Sequence, residues 1–243
     1  SDTEFVTADT AYTLRENEWK IGLWSVEYGA WGVLDVGTYW APWFVNIFSL
    51  NLKYKFWSNE DWAVAARLGF VRWDLSTLSA DATAIFSIIP VELLGSYRIS
   101  ENWRTSASLL YTQVAVEGDF ESDDYQGAAA VSNLQLTSTT EWRLSQVWAL
   151  YGRVNFLAYQ VAKATADATF QPDEFTDVQV VGGAKTDAVD VQNAVSLVVG
   201  FSASWEIFNF RMGAGYGNYV VPAVNFVLPS KSPIVELDMY WRW

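Results

Sequence analysis

No cysteine and no histidine occur among the 243 residues of this chain. Without cysteine it can build neither a disulfide framework nor a thiolate metal site. Without histidine it lacks the commonest general base and the commonest transition-metal ligand. Basic charge is scarce: Lys and Arg total 15 against 28 Asp and Glu, a formal net charge of −13. Phosphate binding needs a basic surface, so nucleic acid is not an expected partner. Long hydrophobic runs are missing too. The longest, "AIFSIIPVELLG", carries Ser, Pro and Glu and falls short of the roughly 20 residues a spanning helix requires. The opening "SDTEFVTADT" has neither a basic n-region nor an apolar h-region. Either no secretory signal was made or it has been removed ahead of Ser1; removal is the expectation.

Aromatic rings are abundant instead, with 14 Trp, 12 Tyr and 14 Phe. Apolar residues alternate with polar ones. Phe48, Leu50, Leu52, Tyr54 and Phe56 share one face of "IFSLNLKYKFW", and Ser49, Asn51, Lys53 and Lys55 the other. The same period of two runs through "DWAVAARLGF", "NLQLTSTTEW" and "VQNAVSLVVGFSASW". It is the spacing of β-strands and not of helices. Short polar turns recur between aromatics in "KFWSNEDWAV", "SYRISENWRT", "EWRLSQVWAL" and "SWEIFNFRMG". Trp62, Tyr97, Trp103, Trp142, Trp148 and Trp205 flank these turns as a candidate girdle, because amphipathic rings favour a membrane–water interface.

The pattern predicts strands over 4–14, 18–28, 33–41, 45–57, 62–73, 83–98, 103–115, 132–143, 147–160, 190–205, 208–219 and 233–243. Longer connections are predicted over 74–82, 116–131, 161–190 and 220–233, the second and third strongly acidic. Short turns at one end and long loops at the other fit a closed, all-β, antiparallel up-and-down barrel of about twelve strands that crosses a membrane. If "RENE" and "YWAPWF" are not hairpin ends, the count falls to about ten. The whole chain, 1–243, reads as one domain. A soluble barrel or sandwich with its apolar face inward is the competing reading, but it leaves the aromatics repeated at strand ends unexplained.

These features make the chain resemble Gram-negative outer-membrane β-barrels over nearly all its length. The turns of the type "YRISENW", the acidic loops and the final "YWRW" carry the resemblance. It implies a bacterial outer-membrane location with short periplasmic turns and extracellular loops. It implies contact with membrane lipids and lipopolysaccharide, and recognition of Tyr240, Trp241 and Trp243 by the barrel-assembly machinery. Phe is the usual last residue of such signals, so Trp243 departs slightly. An envelope-complex partner is left open. Enzymes of this family use Ser–His or Asp–His sites, which a histidine-free chain cannot form, so no catalytic residue and no enzymatic activity are expected.

With the apolar face outward, the lumen face should carry Lys53, Lys55, Arg67, Arg98, Arg104, Arg143, Arg153, Arg211 and Arg242. Its acidic candidates are Asp9, Asp35, Glu92, Glu141, Glu206, Glu236 and Asp238. Either these charges pair across strands in a closed interior, or they line a water-filled pathway with a transverse field. Ala63, Ala65, Gly69, Ser106, Ser108, Ser196, Gly200, Ser202, Ser204, Gly213, Gly215 and Gly217 share that face and leave room, which favours a narrow pore. The stretch 161–190 is long enough to fold back as a constriction. "GAGYG" at 213–217 reads as strand curvature or room for a neighbour. "DFESDD" lacks the ligand spacing of an EF-hand, and neither a metal nor a cofactor site is expected. Arg72 shares the outward parity, placed to touch lipid phosphates or to snorkel. In the final "ELDMYWRW", Val235, Leu237, Met239, Trp241 and Trp243 should meet lipid, and the strand should close the barrel against 4–14. The function this supports is a narrow passive channel for small solutes or ions. The alternative is a closed structural or interaction barrel.

Overall fold

A computed structural model of the chain describes residues 10–40, 43–44, 46–74, 82–120, 125–167, 194–221 and 226–243. Alternation becomes strands as expected. They are β1 (Trp19–Gly22), β2 (Ser25–Ala30), β3 (Leu34–Tyr39), β4 (Ile47–Ser58), β5 (Trp62–Asp74) and β6 (Ala82–Ser100). They continue with β7 (Trp103–Phe120), β8 (Tyr125–Arg143), β9 (Trp148–Asp167), β10 (Ala194–Ser204), β11 (Phe208–Val221) and β12 (Phe226–Arg242). Each pairs antiparallel with its sequence neighbours, and β12 returns to β1, so twelve strands form one closed barrel.

The barrel is inside-out. Leu68, Leu197 and Leu237 point outward at 50%, 53% and 48% exposure, while Lys53, Asn133 and Gln160 point inward at 6%, 0% and 1%. A soluble barrel would reverse this, because burying polar groups while exposing leucine costs free energy on both counts. A hydrocarbon surround removes the conflict, and closure pairs the backbone that lipid cannot hydrate. Within "ELDMYWRW", Val235, Leu237, Trp241 and Trp243 are exposed, Met239 is half-buried on the same outward face, and Tyr240 is buried.

The first quarter of the chain departs from expectation. Residues 10–14 form no strand, and 1–9 lie outside the described residues. The reason is compositional: in "TAYTL" neither alternate face is continuously apolar, so lipid contact would strand its threonines. The chain turns at 15–18, where Asn17 takes φ 63°, so "RENE" links this segment to β1 and is no hairpin end. The span 18–28 divides into β1 and β2 around Leu23 and Trp24. Parity flips there: Trp19 and Ile21 precede the reversal on odd positions, and Val26 and Tyr28 follow it on even ones. Barrel closure therefore joins β12 to Lys20, Ile21 and Gly22, opposite Arg242, Trp241 and Tyr240.

At the far end the strands run longer than predicted. Phe120 pairs with Tyr125 and Val221 with Phe226, so much of 116–131 and 220–233 is strand. β9 reaches Asp167, and the predicted connection over 168–190 lies outside the described residues, as does 75–81.

Candidate functional site

Inward strand positions build a largely polar interior interrupted by small apolar clusters such as Val71, Ile88 and Val114, and most of its charges meet opposite charges. Lys53 Nζ lies 3.2 Å from Asp35 Oδ2, and Lys20 Nζ 3.0 Å from Glu27 Oε1. Arg67 donates to Glu92 at 2.8 Å and Arg153 to Glu236 at 2.7 Å. Arg211 lies 4.0 Å from the second oxygen of Glu236, and its guanidinium sits 3.9 Å over the Tyr151 ring. Asp238 pairs in register with Arg211. Glu141 is buried, opposes Arg104 in register and accepts from Ser202 Oγ at 3.4 Å. A half-buried charge in a narrow lumen is costly alone, which accounts for the matching.

Two groups of predicted residues sit at the short-turn end. Arg98 approaches Asp61 at 3.6 Å and donates to the Glu60 carbonyl. Arg143 closes β8 beside Ala149, and Arg242 donates to Glu18 Oε1 at 2.7 Å. Lys55 faces inward beside the bulge before Trp57. Glu206 does not line the lumen: it is exposed in the turn between Ser204 and Phe208, where the alternation lapses. Asp9 lies outside the described residues. Around the same end Trp62, Trp103, Trp142, Trp148 and Trp205 are exposed. Trp62 stacks on Tyr97 at 4.3 Å, and Trp148 meets Trp205 edge-on at 6.2 Å. Arg72 is exposed on the outward face of β5.

The small lumen residues do not simply leave space. Tyr151 lies across β10 and β11: a Cβ on Gly213 would fall 2.1 Å from its hydroxyl, and one on Gly200 2.6 Å from its ring. The "GAGYG" run therefore makes room for a neighbour. The Tyr151 hydroxyl donates to Glu236 Oε2 at 3.1 Å.

Ala63 and Ala65 receive the N-terminal segment. Residues 10–15 cross the interior as a strap, with Ala11 and Leu14 fully buried. Ala11 packs on Ala63, Ala65 and Leu94. The strap's backbone polar groups bond to the wall. Ala11 N donates to Ser96 Oγ at 2.8 Å, and Leu14 N to Asp35 Oδ1 at 2.9 Å. Lys53 Nζ donates to the Tyr12 carbonyl, Thr13 Oγ1 donates to the Gly32 carbonyl at 2.8 Å, and Arg104 lies 5.4 Å over the Tyr12 ring. The strap narrows the interior from the N-terminal side; of the stretch expected to fold back as a constriction, 161–167 belong to β9 and 168–190 lie outside the described residues. Sequence reasoning missed the strap and the pairs Lys20–Glu27 and Glu18–Arg242. The parity flip at Leu23–Trp24 was the available signal for the pairs.

No family model and no curated protein matches the sequence. Among solved structures the chain is similar to the outer-membrane expressed OmpT of Vibrio cholerae, at 14% identity and TM-score 0.48, covering 100% of this chain and 72% of that one. It is similar to the translocator domain of the autotransporter NalP from Neisseria meningitidis, at 10% identity and TM-score 0.46, covering 93% and 83%. It is also similar to the Ralstonia pickettii toluene transporter TbuX, at 11% identity and TM-score 0.38, covering 94% and 78%. These neighbours are outer-membrane β-barrels. With TM-scores below 0.5, the architecture stands on its own strand pairings and not on these likenesses.

Proposed function

We propose that this protein is a channel of the bacterial outer membrane for small polar solutes, held nearly closed at its short-turn end by the strap 10–15. The carrying observation is an inside-out barrel of twelve strands whose polar interior is crossed by a segment not belonging to the wall. Twelve strands enclose more than the eight whose side chains just fill a barrel. A strap bonded by a few hydrogen bonds is more readily displaced than a strand. The short turns face the periplasm in this reading, and the exposed aromatic end of β12 serves as the assembly signal. Matched charges make the lumen weakly selective between cations and anions, and a chain without histidine is read as a non-enzyme.

Charge pairing also favours a second reading, a closed scaffold without transport. Planar-bilayer recording of the folded full chain separates the two. Openings that recur across independent preparations support the channel. Silence at every applied voltage, with heat-modifiable mobility showing a folded barrel, leaves the scaffold.

A further inference from the structure

The barrel wall is not of uniform height. β1, β2 and β3 have 4, 6 and 6 residues, whereas their neighbours β4 and β12 have 12 and 17. Six residues rise about 20 Å along a strand. Tilted by about 40°, that gives about 15 Å of height against an apolar band about 25 Å tall. Above the stub, among the described residues, no strand lies between β12 and β4. β12 pairs with β1 only through Arg242, Trp241 and Tyr240, after which Leu23 N donates to the Met239 carbonyl at 2.9 Å. The gap spans the positions of three strands, about 14 Å at 4.8 Å each.

The sequence of β12 is adapted to a free edge. Arg242 N bonds to β11's side, at the Ile207 carbonyl, and Trp243 N to β1's side, at the Trp19 carbonyl. Alternation therefore aims the backbone groups of Met239 at the stub, where its carbonyl meets Leu23 N, and those of Leu237, Val235 and position 233 at the gap. Position 233 is proline, which has no N–H to leave unpaired. Proline within a sheet belongs on an edge strand, where it also discourages pairing with another chain.

The rim is aromatic and the space behind it is polar. Trp24, Trp43 and Phe44 are exposed by 57%, 51% and 82%. Trp40 ties the rim together, donating its indole N–H to the Gly22 carbonyl at 2.9 Å and its backbone N–H to the Trp24 carbonyl at 3.1 Å. On the lumen face of β1 to β4 lies a cavity lined by Lys20, Ser25, Glu27, Tyr39, Asn51 and Lys53, with the paired Ser25 and Tyr39 at its rim end and the strap below it.

We propose that this gap is a lateral window through which small amphipathic molecules, an aromatic or acyl body with a polar head, pass between the bilayer and the lumen. An apolar, aromatic rim opening on matched charges suits a ligand with both characters, and proline on the open edge disfavours a second copy pairing there. The window rests on the channel reading only for the direction of traffic.

The chain's lack of cysteine makes the test clean. Ser25→Cys and Asn51→Cys place a thiol in the cavity, and Ser196→Cys places one on the lumen face of β10, behind a complete wall. Each variant is reconstituted in phosphatidylcholine vesicles preloaded with N-(1-pyrenyl)maleimide, with glutathione outside and within to scavenge reagent in water. Folding is checked by heat-modifiable mobility. Faster pyrene labelling of Ser25→Cys or Asn51→Cys than of Ser196→Cys, by several-fold, is the expected result. Equal labelling at all three sites, or none at the two cavity sites, overturns the window, whether a loop or a second copy covers it. Conductance on the same preparations reads the channel separately. Labelling without conductance sinks the channel alone, and conductance without selective labelling sinks the window alone.

Discussion

Tyr151 and Gly213 show how tightly single residues are matched inside this barrel. Adding one methyl at Gly213 puts carbon 2.1 Å from the Tyr151 hydroxyl, and overpacking of this kind typically costs about 1–3 kcal/mol. Gly213→Ala is expected to lower the urea midpoint of the folded barrel. Adding Tyr151→Phe, which removes the clashing oxygen, should restore part of the loss; equal or greater loss in the double variant would refute the fit. Glu18 carries a pH dependence at the short-turn end. Burial opposes its charge, but the Arg242 guanidinium and the Arg15 N–H outweigh it and hold the carboxyl below the ordinary carboxylate range. A depressed folded pKa stabilises above the unfolded value and is lost as pH falls through the folded one. Unfolding midpoints of wild type and Glu18→Gln should therefore differ at neutral pH and converge in acid. At this scale the sequence was informative about direction. Alternation placed Lys53, Arg67, Arg153 and Glu236 inward, but pairing distances and the Tyr151 fit depend on register, which alternation alone does not fix.

Among the elements, the strap and the β1–β3 stub decide what the interior can do. The strands β4 to β12 were legible in their short-turn halves because a period of two runs there into aromatic-flanked turns. The first strands were not, for two physical reasons. "TAYTL" resembles a strand in propensity but has no lipid-compatible face, and a tight reversal without proline or an Asn–Gly pair hides at Leu23–Trp24. Closure against 4–14 failed for the same reason, and Trp19 took the place opposite Trp243. The long far-end connections were overestimated because acidic residues are tolerated in strands that run past the bilayer into water. The strap is stapled by Ala11, Leu14 and Tyr12 on lumen side chains from β3, β4, β5, β6 and β7. Ser96→Ala removes the acceptor of the Ala11 N–H and should lengthen channel openings modestly with no change in heat-modifiable mobility. Unchanged open times would mean that this hydrogen bond does not hold the strap.

For the molecule as a whole, the inversion of polarity is the governing fact. Leucine outside and lysine inside cannot be a stable arrangement in water, so the barrel should show a boiled-against-unboiled mobility shift in detergent. The absence of a shift would contradict the membrane reading itself. Function was less legible than fold, because small lumen residues signalled room without revealing what occupies it. Ala63 and Ala65 accept a strap, and Gly200 and Gly213 accept a ring. The proposed channel requires that this strap close a lumen that would otherwise conduct. Ala11→Glu tests it most directly, since a carboxylate cannot stay among Ala63, Ala65 and Leu94. In planar bilayers the wild type should give brief, small openings, and Ala11→Glu stable, larger ones from an equally heat-modifiable barrel. Identical conductance from both proteins, or silence from both, would contradict the claim.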